Sequence, residues 1–205
     1  MTDFTNSLYE GNFLDNLKSQ LAIHHGIYRL SCSSEYLEEM IAASLENSGF
    51  KNDWEPNRSH AISVDMTLKD GKTVSIKSGT YDKANKNLKI SGSRLGKHST
   101  IENMVKAIKA EAADIYFCMA RLNEEWQPVP LHHEPKKYYF FAFESALLGY
   151  DKYPWEQRKT STGRLNYHME GPGIKAEIRE SMSHQLWTTI STNLIGDPRS
   201  IVVNV

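Results

Sequence analysis

The chain has 205 residues, of which 40% are hydrophobic and 24% are charged, and its formal net charge is −1. This composition is typical of one soluble globular domain, so any electrostatic preference for a partner must lie in local patches. Two cysteines, Cys32 and Cys118, are too few for a disulfide framework or a thiolate metal site, and we expect free thiols. The sequence has no apolar run of the roughly 20 residues that span a bilayer and no signal-peptide pattern. We therefore expect a cytoplasmic protein with no membrane partner.

The first half of the chain predicts helices and strands in alternation. A helix is expected over residues 7–22, and a second from Ser33 or Ser34 to Asn47, where Gly49 ends it. Three strands follow, at His60–Leu68, Thr73–Ser78 and Asn87–Ser91. A further helix then begins after the capping Thr100 and ends near Ala112.

Two apolar strands, Asp114–Leu122 and Lys137–Phe143, complete an α/β core of about residues 33–145, with a central mixed sheet flanked by helices. Beyond residue 145 we predict two extended pieces around a Gly-Pro-Gly turn, a short helix over 181–192 and a closing strand over 200–205. The whole chain, 1–205, is predicted as one domain, with the N-terminal helix and residues 146–205 as additions to the core.

The stretch around residues 62–77 predicts a half-buried antiparallel hairpin. Its even-numbered positions are apolar and its odd-numbered positions are polar on both strands. A two-residue turn would mix these faces, whereas the three-residue turn Lys69-Asp70-Gly71, with Gly71 left-handed, preserves them. This turn pairs Val64 with Ile76 and Asp65 with Ser75. Lys77 then becomes the diagonal neighbour of Asp65.

Asp65 and Lys77 have two interpretations. They can form a cross-strand ion pair on a solvated sheet face, worth about 0–1 kcal/mol. Alternatively they belong to a site that includes a carboxylate from the preceding helix. Glu38 lies at the edge of the buried stripe of that helix, so it either points into a cleft beside the sheet or is a solvated boundary residue.

These residues, on a helix and two successive strands, resemble the PD-(D/E)XK nuclease superfamily. In that superfamily a helix glutamate precedes an aspartate on one hairpin strand and a (D/E)-x-K triplet on the next. The helix spacing is also similar to that of its Holliday-junction resolvases, and the resemblance covers residues 33–122. The matching residues are Glu38, Ile41, Leu45, Gly49, Phe50, Asp65 and the triplet Ser75-Ile76-Lys77.

The triplet departs from the pattern because Ser75 stands where an acidic residue is expected, and Val64 rather than proline precedes Asp65. Some restriction endonucleases of the superfamily also carry Ser-x-Lys and recruit the second carboxylate from a helix. Glu38 could supply it here, with Glu35 and Glu39 as alternatives.

The resemblance implies a restriction-endonuclease-like core and an Mg²⁺ site. Asp65, Glu38 and the backbone carbonyl of Ile76 would be the metal ligands. Ser75 could hydrogen-bond a metal-bound water, and Lys77 could hold the scissile phosphate or orient the attacking water. The implied function is a Mg²⁺-dependent endonuclease that cuts double-stranded DNA as a homodimeric type II restriction enzyme.

Two alternatives stay open. One is a resolvase or repair nuclease on the same core, and the other is a non-catalytic nucleic-acid-binding protein on a decayed nuclease fold. In the nuclease domain that the resemblance implies, the N-terminal helix 7–22 and residues 146–205 would serve dimerisation or DNA recognition.

The segment from Lys72 to Lys109 indicates a phosphate-rich partner. It carries nine lysine or arginine residues and two acidic ones, so it can neutralise backbone phosphates, although a solvated basic face is the alternative. We predict DNA contacts from Lys89, Ser91, Ser93, Arg94 and Lys97. The pairs His24-His25 and His132-His133 are expected in surface loops.

Overall fold

A computed structural model describes residues 3–28, 34–56, 64–122, 136–180 and 183–203. Cys32, His132 and His133 lie outside these ranges. So do residues 57–63, which include the first part of the predicted strand His60–Leu68. The described chain is an α/β fold with one large mixed sheet flanked by helices. No helix within the described ranges is long and apolar enough to cross a membrane.

Five α-helices are assigned in the described ranges. Their bounds are α1 Asp3–Glu10, α2 Phe13–Ile27, α3 Ser34–Asn47, α4 Ile101–Ala110 and α5 Thr192–Ile195, and a 3-10 helix covers Ser145–Leu148. The helix predicted over residues 7–22 is confirmed for 7–10 and 13–22 but is not continuous. The chain breaks between α1 and α2 at Gly11, because glycine favours a break over helix continuation. Thr100 caps α4 as predicted, since its hydroxyl accepts a hydrogen bond from the Asn103 N–H.

In the part of the chain that the structure describes, eleven strands form the sheet. They are β1 Trp54–Pro56, β2 Met66–Leu68, β3 Thr73–Asp82, β4 Asn87–Arg94, β5 Ile115–Leu122, β6 Lys136–Glu144, β7 Trp155–Lys159, β8 Leu165–Gly171, β9 Ile174–Arg179, β10 Gln185–Ser191 and β11 Arg199–Val203. Of the predicted core strands, those over 73–78, 87–91, 114–122 and 137–143 are confirmed, β3 and β4 being longer than expected. The C-terminal strands are confirmed for the described residues. Of the predicted strand His60–Leu68 only Met66–Leu68 is a strand, and residues 60–63 lie outside the described ranges. The strands β1 and β7 were not predicted.

The short helix predicted over residues 181–192 is wrong for the part that the structure describes. Residues 185–191 form β10, between β4 and β9. Burial alternates along β10, with Leu186, Thr188 and Ile190 buried and their neighbours half-buried. That two-residue period, rich in β-branched residues, favours a strand.

The main path of the sheet runs β11-β6-β5-β3-β4-β10-β9-β8-β7, and β2 joins β3 beside this path. Among the described ladders, β3 and β5 run parallel and the other pairs are antiparallel. The C-terminal strands thus extend the same sheet as the predicted core of residues 33–145, and β11 closes it beside β6.

Each face of the sheet has its own apolar core. On the front face, α1, α2 and α3 pack over β3, β5 and β6, with Leu17, Ile41 and Phe117 fully buried. On the back face, α4 packs over the middle of the sheet through Met104 and Ile108. The residues of β3 alternate between these faces, since Val74 and Ile76 belong to the front core and Tyr81 to the back core.

Candidate functional site

The β2–β3 turn has the predicted three-residue geometry. The Leu68 N–H donates to the Lys72 carbonyl oxygen at 2.7 Å, and the Gly71 N–H donates to the Leu68 carbonyl oxygen at 2.8 Å. Gly71 has φ 86°, a left-handed conformation that glycine adopts without steric cost. Met66 lies opposite Val74, which is the predicted register.

The predicted alternation fails one residue further from the turn. The Asp65 N–H donates to the Val74 carbonyl oxygen at 2.9 Å, although Val74 is already the partner of Met66. Two residues therefore face one, as in a β-bulge, and Val64 packs against the back core instead of pairing with Ile76 on the front face. The bulge changes the direction of the Asp65 side chain.

The Asp65 carboxylate accepts a backbone hydrogen bond of the kind that a neighbouring strand accepts in a sheet. Its Oδ2 accepts the backbone N–H of Ile76 at 2.5 Å and the hydroxyl of Ser75 at 3.2 Å. Ser75 is fully buried. Within the described ranges no donor reaches Oδ1 of Asp65, and Asp65 forms no ion pair with Lys77. The interpretation as a cross-strand ion pair is therefore wrong for these residues.

The Asp65 carboxylate lies at a gap in the sheet. The described β2–β3 ladder ends at Val74 and the β3–β4 ladder begins at Gly79, so residues 75–78 of β3 have no strand partner on this side among the described residues; we call them the open edge of β3. The Ile76 N–H points to Asp65 at this edge. Because the N–H and C=O of a strand residue face the same neighbour, the Ile76 carbonyl faces the open edge as well.

Lys77 follows Ile76 and projects to the back face. Its half-buried side chain lines a narrow crevice with Ser91, Ser93 and Glu111, where β4 diverges from β3. Lys77 lies near the buried thiol of Cys118, whose pKa burial raises to about 12 while the lysine charge acts in the opposite direction. This thiol is a free cysteine, as predicted, and it is uncharged at neutral pH.

Glu38 lies on α3, on the front side of the sheet. This helix packs on the front core, and α2 contacts it through His24 against Tyr36. With 100° per residue, Glu38 lies on the flank turned away from α2. That flank faces the β2 side of β3, and Glu38 is half-buried there. Glu39 is exposed, and the side chain of Glu35 lies outside the description.

The residues predicted to bind DNA do not form one patch. Lys89 lies on the front face, Arg94 is exposed at the end of β4, and Ser91 lines openings on both faces. Lys97 is 3.1 Å from the Glu111 carboxylate, so an acidic partner already neutralises its charge. The nine cations of the segment are divided between both faces and both ends of β3, because strand alternation separates neighbours in sequence.

Other residues near the open edge were not predicted. Glu111 follows the last turn of α4 and shares the crevice of Lys77. Arg121, Tyr138 and Trp187 surround a front-face cavity together with Lys89. Their sequence spacing gives no signal, because three different strands bring them together.

His24 and His25 are buried in the last turn of α2, so their prediction as a surface loop is wrong. The His25 Nε2 lies 2.5 Å from the Tyr138 hydroxyl, and its Nδ1 lies 3.3 Å from Lys136 Nζ. Burial and the Lys136 charge lower the pKa of His25 to about 4, which keeps the ring neutral at neutral pH.

Comparison of the chain with protein-family models gives no match, and comparison with curated proteins gives no significant match. The site must therefore be judged on its own geometry.

Proposed function

We propose that this protein is a Mg²⁺-dependent endonuclease that hydrolyses phosphodiester bonds in double-stranded DNA, similar to type II restriction enzymes of the PD-(D/E)XK superfamily. One observation carries the proposal. The Ile76 N–H and the Ser75 hydroxyl hold Oδ2 of the Asp65 carboxylate at the open edge of β3, and no described donor reaches Oδ1. Lys77 follows Ile76 in β3. The restriction-endonuclease-like core belongs to the same proposal.

The donor set around the edge suits a hard divalent cation. Asp65 Oδ1, the Ile76 carbonyl and a carboxylate from Glu38 are oxygen ligands of the kind that Mg²⁺ prefers. No group of three or more His, Cys, Asp or Glu side chains is found in the described ranges, but the proposed set needs only two carboxylates and a carbonyl. When bound, Mg²⁺ would supply an activated water and charge stabilisation at the phosphoryl group.

The protein residues have separate roles in this proposal. Ile76 and Ser75 fix the Asp65 carboxylate, so that its free oxygen needs little reorganisation on binding. The Lys77 ammonium holds a non-bridging phosphate oxygen or orients the attacking water. Glu38 adds the negative charge that Ser75 does not supply.

One observation favours a second candidate, a DNA-binding protein without nuclease activity. Ser75 replaces an acidic residue and is buried with its hydroxyl donated to Asp65, so the triplet itself contributes no second carboxylate. If Glu38 does not complete the site, one carboxylate remains, and metal binding would be weak. A resolvase or repair nuclease on the same core remains the enzymatic alternative.

Plasmid nicking in Mg²⁺ tests the proposal. We expect Asp65→Ala and Lys77→Ala to abolish nicking while DNA binding in Ca²⁺ persists. Asp70→Ala and Lys69→Ala, exposed in the same hairpin turn, are the matched controls and should cut normally.

The cleavage products separate the candidates. Discrete fragments would support a restriction enzyme, and preferential cutting of four-way junctions would support a resolvase. Binding of DNA without cleavage in any divalent metal would support the non-catalytic protein. A particle of twice the 23.4 kDa chain mass in light scattering would agree with the proposed homodimer.

A further inference from the structure

A cavity of about 170 Å³ opens on the front face beside the open edge of β3. Its floor is formed by β3, β4, β5, β6 and β10, and the start of α3 forms one wall through Leu37. Ser78, the last residue of the open edge, lines this cavity. The cavity therefore adjoins the proposed catalytic edge but lies on the face opposite Lys77.

The charge of the cavity suits an anion. Lys89 and Arg121 line it, and none of the lining residues within the described ranges is acidic. The exposed Lys89 ammonium lies 5.4 Å from the centroid of the Trp187 ring, so a positive charge sits beside an aromatic wall. Ser91 and Thr80 add hydroxyl groups that can donate hydrogen bonds to an anion.

Most of the remaining lining is apolar or aromatic. Leu37, Met119 and Tyr138 are buried core residues whose surfaces face the cavity, and Trp187 forms a further wall.

The size of the cavity suits one aromatic ring system. An apolar cavity of about 150 Å³ can hold benzene, so this cavity is large enough for one base. An aromatic group joined to a phosphate matches both the apolar walls and the cations.

We propose that this cavity binds one nucleotide unit, with the base between the apolar walls and the phosphate on Lys89 and Arg121. The unit is either a free mononucleotide or a nucleotide turned out of a DNA strand that passes the open edge of β3. The second source rests on the proposed nuclease function, because it places the strand next to Asp65. Turning out a base exposes its edge to side chains that could read its identity.

Isothermal titration of the full chain with thymidine 5′-monophosphate in EDTA tests the cavity without the metal site. We expect saturable binding that Lys89→Ala weakens about tenfold or more, because a charge-assisted contact to phosphate is lost. Lys83→Ala, exposed in the β3–β4 turn, is the matched control and should bind as the unmodified protein does. Thymidine without phosphate should bind more weakly, and Asp65→Ala should bind equally well.

Three results would overturn the inference. The first is the absence of saturable binding, and the second is binding that Lys89→Ala leaves unchanged. The third is competition by inorganic phosphate as strong as that of the nucleotide, which would define a simple anion site. These titrations contain no metal, so they do not depend on the proposed nuclease activity. Plasmid cleavage without nucleotide binding would contradict only this inference. Nucleotide binding without plasmid cleavage would contradict only the proposed nuclease function.

A duplex carrying 2-aminopurine distinguishes the two sources. A rise in its fluorescence on binding, reduced in Trp187→Ala, indicates a base turned out of the strand. Nucleotide binding without this rise indicates a free mononucleotide as the ligand.

Discussion

Asp65 shows how one bulged residue changes the use of a side chain. In the ladder expected from the alternation, Asp65 would oppose Ser75 and approach Lys77 across the strands. The bulge instead directs its carboxylate to the Ile76 N–H, a backbone donor without a described strand partner. Hydrogen bonds to a carboxylate are stronger than those between neutral groups, so the side chain is well fixed.

Asp65→Asn and Ser75→Ala should have unequal effects on the proposed cleavage. The asparagine keeps an acceptor for the Ile76 N–H but loses the charge, so we expect kcat to fall by about 100-fold or more with the fold retained. Ser75→Ala removes only one 3.2 Å hydrogen bond, and we expect a fall of less than about tenfold. Single-turnover cleavage and circular dichroism provide the measurements. Equal losses in both variants would contradict the separate roles given to these residues.

His25 makes stability depend on pH. Its pKa is lowered from 6.5 to about 4 in the folded protein by burial and by Lys136, with smaller contributions from His24 and Arg121. As the pH falls from 6.5 to about 4, His25 takes up a proton in the unfolded chain before it does so in the native protein. The free energy of unfolding therefore decreases with decreasing pH. Because solvent screening reduces the effect, we expect a loss of about 1–2 kcal/mol from this residue.

Urea unfolding at about pH 7 and about pH 5 measures the contribution of His25 to the free energy of unfolding. The loss of stability between the two should be smaller in His25→Gln than in the unmodified protein. A variant with the same loss would show that other groups dominate.

At the scale of elements, β3 joins the two halves of the molecule. It runs parallel to β5 along most of its length on one side, while on the other side it pairs first with β2 and then with β4. The open edge lies between the described ends of these two ladders. The close approach of β3 and β4 begins at Gly79, which lies opposite Ile90.

Gly79→Ala should destabilise the protein. An added Cβ would lie 2.6 Å from the Lys89 carbonyl oxygen, so β3 and β4 would have to separate. We expect the free energy of unfolding to fall by about 1–3 kcal/mol. The control is Gly26→Ala in α2, where no atom lies within 4 Å of the added Cβ, and a gain of about 0.5–1 kcal/mol is expected. Urea titration measures both, and a neutral Gly79→Ala would contradict the tight contact.

At the scale of the whole molecule, the distribution of charge limits DNA binding. The chain is nearly neutral, and the cations of residues 72–109 are divided between the faces. Two of them, Lys97 and Lys109, pair with Glu111 and Asp151. Fewer cations are therefore available to any single DNA backbone than the sequence count indicates.

The association constant for duplex DNA should fall about a hundredfold between about 50 and about 200 mM salt, as for about four phosphate contacts. Lys89→Ala and Arg94→Ala should each reduce the salt dependence by about one contact, since both side chains are exposed. Lys97→Ala should leave it unchanged because Glu111 already pairs with this lysine. Fluorescence anisotropy across a salt series measures these slopes, and a larger effect of Lys97→Ala would contradict the assignment.

The amino-acid pattern by itself determined the α/β class, most helices and strands of the core, and the turn at Gly71, because these depend on periodicity and on local backbone preference. It also placed Asp65 beside Ser75 and Ile76. Only the tertiary structure decided the direction of the Asp65 carboxylate, the flank on which Glu38 lies, and the separation of the cations onto two faces. These depend on which strands become neighbours. The strand β10 was predicted as a helix although its β-branched residues favour a strand. Contacts between residues far apart in the chain are set by burial of the two apolar faces as a whole, and no local pattern encodes them.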